Sequence, residues 1–414
     1  MQTNLADWIK DTPDGQEADA ILRKCVHCGF CLATCPTYQL TGDELDSPRG
    51  RIYLMKQVLE GAAVTEKTQF HLDRCLTCRA CESTCPSGVQ YGRLADIGRS
   101  VVETKVGRGL GASLQRGLLK RTLSSPTLFS AGLTVGRAFR PLLPAALKAK
   151  IPAERAAGTQ PSLRHARHVL MLEGCVQPAM APSINAAIAR VLDRLGVSVV
   201  TSLEAGCCGA LAHHLNDHAA SHAAIRKNID AWWPHIDAGA EAIVVTASGC
   251  GTMVADYGHV LRNDVAYAEK AKRVSELFCD ASTAVARERE ALHRLLATAP
   301  TGGKRIAFHS PCSLQHGLKI RGVVEELLTA AGFDLTPVPD GHLCCGSAGT
   351  YSILQPELSG QLLKNKVAAL ESGQPEGVAT ANIGCLAHIE GGLNASSKVP
   401  IRHWVEWLDE RLNR

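Results

Sequence analysis

The sequence predicts a multidomain chain, with a small α-helical, cysteine-rich N-terminal domain followed by two tandem α/β repeats built on parallel sheets. Three observations predict it. Eight cysteines fall between positions 25 and 85, none between 86 and 174, and nine between 175 and 385. An offset of 137 residues relates Cys175 to Cys312, Cys207 to Cys344 and Cys208 to Cys345, and one of 135 relates Cys250 to Cys385; so regular a spacing marks an internal repeat. Within each copy apolar runs alternate with helical stretches, as crossover helices joining parallel strands require. At 414 residues the chain is longer than one core ordinarily serves, and the expected domains are 1–100, a basic linker with short helices at 101–165, and the repeats at 166–300 and 301–414.

The N-terminal domain carries CVHCGFCLATCP (25–36) and CLTCRACESTCP (75–86), both C-x2-C-x2-C-x3-C-P. This is the run of two-[4Fe-4S] ferredoxins, in which the fourth cysteine of each run serves the other cluster. Cys25, Cys28, Cys31 and Cys85 are therefore assigned to one cluster, and Cys75, Cys78, Cys81 and Cys35 to the second. Structural zinc ordinarily uses two separated C-x2-C pairs, which is not this pattern. Between the runs, SPRGRIYLMKQVLEG reads as a helix capped by Ser47, with Pro48 in its first turn and Gly61 as its stop. Arg49, Arg51, Arg74 and Arg79 are placed to raise cluster potentials by stabilising the electron added on reduction; the alternative is that they are ordinary solvated arginines.

Between Lys105 and Arg167 stand twelve Lys or Arg and one acid, Glu154. Glycines and prolines punctuate this stretch, so short helices joined by turns are expected. Its GRGLGAS (107–113) lacks the spacing of a dinucleotide-binding turn and reads as a loop. No basic leader followed by an apolar stretch opens the chain, and no run of about 18 apolar residues occurs. A cytoplasmic protein, peripheral on a membrane at most, is expected. Seventeen cysteines in a reducing compartment point to metal rather than disulfides. The net charge of +4 is modest, and no nucleic-acid partner is expected.

In each repeat an apolar run (HVLMLEG; RIAFHSP) ends at a cysteine, and a helix follows that stops at Gly196 or Gly332. A second run (VSVVT; FDLTPV) leads to Cys-Cys-Gly, and a third (AIVVTASG; GVATANIG) ends at the last cysteine. Lys227-Asn228 maps onto Lys364-Asn365 with the same offset of 137. Ligands of open α/β sheets bind at the carboxyl ends of the strands, so Cys175, Cys207, Cys208 and Cys250 are expected to meet at one metal site, and Cys312, Cys344, Cys345 and Cys385 at another. Aiming two adjacent cysteines at one ligand needs a sharp turn, which Gly209 and Gly346 permit. A further iron-sulfur cluster, zinc or a redox dithiol all suit four thiolates. Cys279 is left over and reads as a buried helix residue. His213, His214, His309, His342 and His388 read as proton shuttles or as ordinary capping histidines, and Trp232 and Trp233 as core anchors.

These motifs, with DELDSPRGRIYLMKQVLEG, HLDRCLTC, VLMLEGC, EAGCCGA, NIDAWWP, TASGCG, HLCCGSAGTY and TANIGC, resemble the iron-sulfur subunits of bacterial glycolate oxidase through nearly the whole chain. The Cys-Cys-Gly repeats are also similar to those of heterodisulfide reductase and of the anaerobic glycerol-3-phosphate dehydrogenase. Heterodisulfide reductase copies that hold a noncubane cluster carry C-x2-C at the end of each repeat, where this chain has Ala247 and Asn382, so that cluster and its disulfide chemistry are not carried over. The resemblance implies an electron-transfer subunit with no catalytic residue of its own, in a complex that oxidises glycolate to glyoxylate and D-lactate less well. Flavoprotein (FAD-binding) partner subunits would abstract the hydride, and electrons would pass to a membrane quinone or other acceptor on the cytoplasmic face of the inner membrane. No flavin or NAD site is expected on this chain, which has no G-x-G-x-x-G after a strand. The alternatives are a complex fed by glycerol 3-phosphate, a heterodisulfide reductase-like complex, or a redox-silent scaffold.

Overall fold

Two four-stranded sheets carry the repeats, in strand orders β2-β1-β3-β4 and β6-β5-β7-β8. Their strands are β1 (His168–Leu172), β2 (Ser198–Thr201), β3 (Ile243–Val245), β4 (Phe278–Asp280), β5 (Arg305–His309), β6 (Asp334–Thr336), β7 (Gly377–Thr380) and β8 (Ile401–His403). Every pairing is parallel. This computed structural model describes residues 1–142, 154–298 and 303–413; Lys148 and Lys150 of the basic stretch lie outside the described residues.

Six strands fall where the apolar runs predict them. Val169 to Leu172 are all buried, because a parallel strand covered on both faces reads as a continuous apolar run. The three-residue strands β4 and β8 are not legible in the sequence, being too short to show a period. Cys279 is thereby corrected: it lies on β4, opposite Val244 of β3, not on a helix. The preceding helix, Ala268–Leu277, ends one residue before β4 begins. Of GRGLGAS, the last four residues also depart from expectation by opening the helix Leu110–Leu123.

The chain divides into two compact units, one of residues 1–117 with 342–366, the other of 118–341 with 367–414. In the second unit the repeats pack reciprocally. The helix after β1 (Pro182–Arg194) lies on the helix after β8 (Trp404–Leu412), and the helix after β5 (Val323–Ala330) lies on the helix after β4 (Ala281–Arg287). A helix that follows each copy's first strand thus meets a helix that follows the other's last strand, as a two-fold relation requires. Arg190 pairs with Asp409 at 2.6 Å across the first of these contacts.

In the first unit, helices Pro13–Lys24, Pro48–Leu59, Glu66–Asp73 and Tyr91–Val106 enclose a core of Ile21, Leu22, Met55, Leu59, Leu72 and Leu94. Ser47 caps Pro48–Leu59 through the Gly50 amide, as expected. Helix Tyr91–Val106 approaches that helix so closely that a Cβ on Gly98 would stand 2.4 Å from the Met55 sulfur. Within the same unit, the Tyr351 hydroxyl donates to the Arg74 carbonyl at 3.0 Å, tying the segment that carries the second Cys-Cys-Gly to the N-terminal domain.

Candidate metal centres

The two ferredoxin-type runs fold into the same loop. Left-handed residues occur at the second and fourth positions after the first cysteine of each, His27 (φ 56°) and Gly29 (φ 88°) in one run, Thr77 (φ 54°) and Arg79 (φ 61°) in the other. Few residues occupy this region without reason, and its recurrence at matched positions is what curls each loop around its cysteines. Cys25, Cys28, Cys31 and Cys85 line one cavity. Cys35, Cys75, Cys78 and Cys81 line another. Cys81 borders both, and Cys35 and Cys85 each face the cavity of the opposite run. Eight soft thiolate donors in two sets of four suit iron-sulfur clusters.

The cavities differ electrically. Arg51, only 1% exposed, borders the second and donates to the His71 carbonyl at 2.8 Å, to Thr37 Oγ1 at 3.0 Å and to Asp46 at 3.3 Å. Asp46, also buried, accepts from Arg74 at 2.7 Å and from His71 Nδ1 at 3.0 Å. Arg99 grips the loop itself, donating to the carbonyls of Leu72 (2.8 Å) and Cys75 (2.6 Å) and to Thr77 Oγ1 (2.8 Å). The Cys75 sulfur accepts from the Thr77 amide at 3.4 Å and the Tyr91 hydroxyl at 3.5 Å. Burial alone would push the Cys75 thiol up, but Arg51 and Arg99 outweigh it and hold the thiol below its usual range. At the first cavity burial prevails, aided by Cys25, and pushes Cys31 up to about 11; its bordering Arg49 is in a partly exposed pair with Glu44. Thus Arg51 is no solvated arginine, while Arg49 and Arg79 border cavities from partly exposed ion pairs.

In the first repeat the structure brings the four cysteines together. Cys175 and Cys208 hydrogen-bond Cys207, and Cys250 hydrogen-bonds Cys208. The bonds from Cys175 and Cys208 hold Cys207 well below the usual thiol range. Gly209 turns the pair with φ 88°. Asn228 clamps the loop, accepting from the Gly206 amide at 2.8 Å and donating to the Cys207 carbonyl at 2.9 Å. The Tyr257 hydroxyl donates to the Cys208 carbonyl at 2.9 Å and accepts from Asn228 at 3.1 Å.

In the second repeat Cys312 follows β5 and Cys385 opens the helix Ile383–Ser396, both in the second unit. Cys344 and Cys345 are buried in the first unit. Gly346 has φ 91°, and a Cβ there would meet the Ser359 carbonyl at 2.7 Å, so the position requires glycine on two counts. Asn382 does structural work where noncubane copies have cysteine: its Oδ1 accepts from the Gly384 amide at 2.9 Å, capping a helix, and its Nδ2 donates to Ser248 at 3.3 Å. Ala247 is buried at the start of the helix Ser248–Ala255.

Family models match at both ends of this description. Residues 21–89 match the "4Fe-4S dicluster domain", and residues 169–255 and 306–390 each match the "Cysteine-rich domain". The glycolate oxidase iron-sulfur subunit of Escherichia coli (strain K12) is 56% identical over 415 residues, covering 100% of both chains. This chain belongs to the glycolate oxidase iron-sulfur subunit family. A probable glycolate oxidase iron-sulfur subunit of Bacillus subtilis (strain 168) is 29% identical over 94% of each chain. Lactate utilization protein A of Bacillus licheniformis is 27% identical over 57% of this chain and 97% of its own.

As a glycolate oxidase-type iron-sulfur subunit, the chain carries clusters in a ferredoxin-type domain. Its sequence did not reveal Arg99, Asp46, His71, Tyr91 and Tyr351. Arg99 lies fourteen residues past the last ferredoxin cysteine, on a helix face that no motif marks. Asn228 was visible only as a repeated dipeptide. Trp232 is fully buried and stacks on Tyr257 with ring centroids 6.4 Å apart; it is a core anchor. Of the histidines, His309 bonds Thr380 Oγ1 at 3.0 Å, and His213 packs against His214 and His218. Among the described residues no helix is long and apolar enough to cross a membrane.

Proposed function

We propose that this chain is the electron-transfer subunit of a flavin-dependent complex that oxidises glycolate to glyoxylate, and D-lactate less well. In this reading Cys25, Cys28, Cys31 and Cys85 hold one [4Fe-4S] cluster, and Cys75, Cys78, Cys81 and Cys35 the other. The observation that carries it is the pair of four-cysteine cavities bordering a common Cys81, in a chain 56% identical over full length to a glycolate oxidase iron-sulfur subunit. A bound cluster would accept and return one electron at a time, so that the two electrons of a reduced flavin would pass on singly. The protein's part is to hold the thiolates and to place Arg51 and Arg99 against the second cavity. FAD-binding partner subunits perform the hydride abstraction. Exposed Cys28 with Val26 (66% exposed) and Phe30 (61%) beside it offers those partners an apolar rim close to the first cavity.

The repeat cysteines Cys175, Cys207, Cys208 and Cys250, and Cys312, Cys344, Cys345 and Cys385, are further metal ligands in this reading. Anaerobic co-purification with the partners, iron analysis, and EPR before and after glycolate test it. About eight irons per chain place metal in the ferredoxin-type domain alone, and about sixteen fill both repeats with cubanes. Reduced-cluster signals must grow on adding glycolate. Flavin reduction without them would remove the electron-transfer role.

Delivery to a membrane quinone or similar acceptor calls for a peripheral membrane site. Residues 104–153 hold nine Lys or Arg and no Asp or Glu, and helix Pro126–Phe139 exposes Leu128, Val135 and Phe139, one apolar face at helical spacing. Each cation near an anionic leaflet adds about 1 kcal/mol. The complex is expected to sediment with membranes at low salt and to be released at high salt. Val135→Asp with Phe139→Asp is expected to leave it in the supernatant at both.

A further inference from the structure

The two ferredoxin-type cavities share a fold and differ in charge. Around the second, Arg51 and Arg99 stand against the loop that carries Cys75, one buried beside it and the other on its carbonyls. Arg74 adds a third guanidinium, and the carboxylate facing these groups is Asp46, which accepts from Arg51, Arg74 and His71. Arg79 borders the cavity as well but is paired with Glu82. Taken together, the guanidiniums outnumber the carboxylates, and Arg51 lies where water screens it little. Around the first cavity the cations are Arg49, spent on Glu44 in a partly exposed pair, and the Met1 α-ammonium, which donates to the Cys25 carbonyl at 2.9 Å, and Cys28 itself is open to solvent. The Cys75 sulfur also accepts from the Tyr91 hydroxyl and the Thr77 amide, and hydrogen bonds to a ligating sulfur favour the reduced cluster.

Reduction adds one electron, and hence one negative charge, to a cluster. Nearby uncompensated cations stabilise that charge, while exposure to water favours it at the outer site. Buried Arg51 acts through protein rather than through water, and Arg99 acts from the loop's own carbonyls, so their effect is the larger. We propose that Arg51 and Arg99 make the inner cluster, held by Cys35, Cys75, Cys78 and Cys81, the easier of the two to reduce. The inference rests on the cluster assignment proposed above. An electron supplied by the reduced flavin of a partner then resides at equilibrium on the inner cluster, the flavin being oxidised by one electron and the cluster reduced by one. The inner side is also where the second Cys-Cys-Gly segment lies: Tyr351 bonds the Arg74 carbonyl, with Cys75, Arg51, Cys344 and Asp46 as its neighbours. The inner cluster is therefore the one beside Cys344, and the outer cluster is the one beside the exposed Val26–Phe30 rim.

The test is an anaerobic redox titration of the full chain, poised with dithionite and mediators and read by EPR. Cys28→Ser alters the outer cluster's signal and so assigns the two. In the unmodified protein the inner signal is expected at the higher potential. Arg99→Gln is expected to lower the inner midpoint and leave the outer one where it was, while Arg99→Lys, which keeps the charge, restores most of the difference. Arg51→Lys, compared with Arg51→Gln, gives a second measure. Coincident midpoints in the unmodified protein, an outer cluster that reduces first, or an inner midpoint unmoved by Arg99→Gln in protein of unchanged iron content would each overturn the proposal. Iron far below about eight per chain in the unmodified protein would instead overturn the cluster assignment beneath it.

Discussion

Cys85 belongs by sequence to the second run and by position to the first cavity, and the crossing has a sharp consequence. Cys85→Ser is expected to remove the outer cluster, lowering iron by about four per chain, while the inner cluster's EPR signal survives. Loss of the inner signal instead would mean that each run serves its own cluster. The run spacing made this pairing legible, since the fourth cysteine follows the third at a longer interval and a proline then ends the segment. The charges that distinguish the cavities were only half legible. Four arginines could be named, two on the helix between the runs and two at the second run, but a solvated arginine and the buried Arg51 are the same letter in a string. What separates them is the company of His71, Thr37 and Asp46, up to twenty residues away along the chain.

Among the elements, long ones announced themselves and short ones did not. The helix from Pro48 carries its own cap, and Gly196 and Gly332 end their helices with φ near 85°. Strands β4 and β8 carry no such signal, yet their last residues hold opposed titrations. Asp280 and His403 occupy equivalent places, each ending an edge strand and capping the next helix. Burial pushes the His403 imidazole down to about 4, its Nε2 donating to the Thr246 carbonyl at 3.0 Å. Burial pushes Asp280 up to about 6, against its bonds from Ser282. For His403 the unfolded chain binds more protons between about pH 4 and 6.5, so its contribution to stability falls as pH drops through that window. For Asp280 the folded chain binds more protons between about pH 4 and 6, so its contribution falls as pH rises. Each is worth roughly 3 kcal/mol at about 1.4 kcal/mol per pKa unit, and they nearly cancel. Asp280→Asn is therefore expected to show stability rising from pH 4 to 6.5, and His403→Gln stability falling over the same range, in urea unfolding. Parallel profiles for the two variants would refute the opposition.

At the scale of the whole molecule, the repeat offset forecast two alike copies on parallel sheets, and the packing of a helix after each copy's first strand on a helix after the other's last strand completes that relation. The offset assigned residues 342–366 to the second repeat, whereas by packing they belong with the N-terminal domain. Tyr351 measures that attachment. Tyr351→Phe, which deletes the bond to the Arg74 carbonyl, is expected to cost about 1 kcal/mol, and Tyr351→Ala about 3–5 kcal/mol, read as earlier thermal loss of the ferredoxin-type cluster absorbance. Equal behaviour of both variants and the unmodified chain would detach the segment from the domain.

The sequence by itself determined the two cysteine runs, the two Cys-Cys-Gly repeats and the alternation of strands and helices, because cysteine spacing and apolar period act over a few residues. Only the tertiary structure decided which cavity Arg51, Arg99 and Asp46 adjoin, that Asn228 and Tyr257 clamp the first Cys-Cys-Gly, and that Tyr351 reaches Arg74. Those are distances between residues from about 20 to 280 positions apart, and no local pattern encodes a distance that packing alone sets.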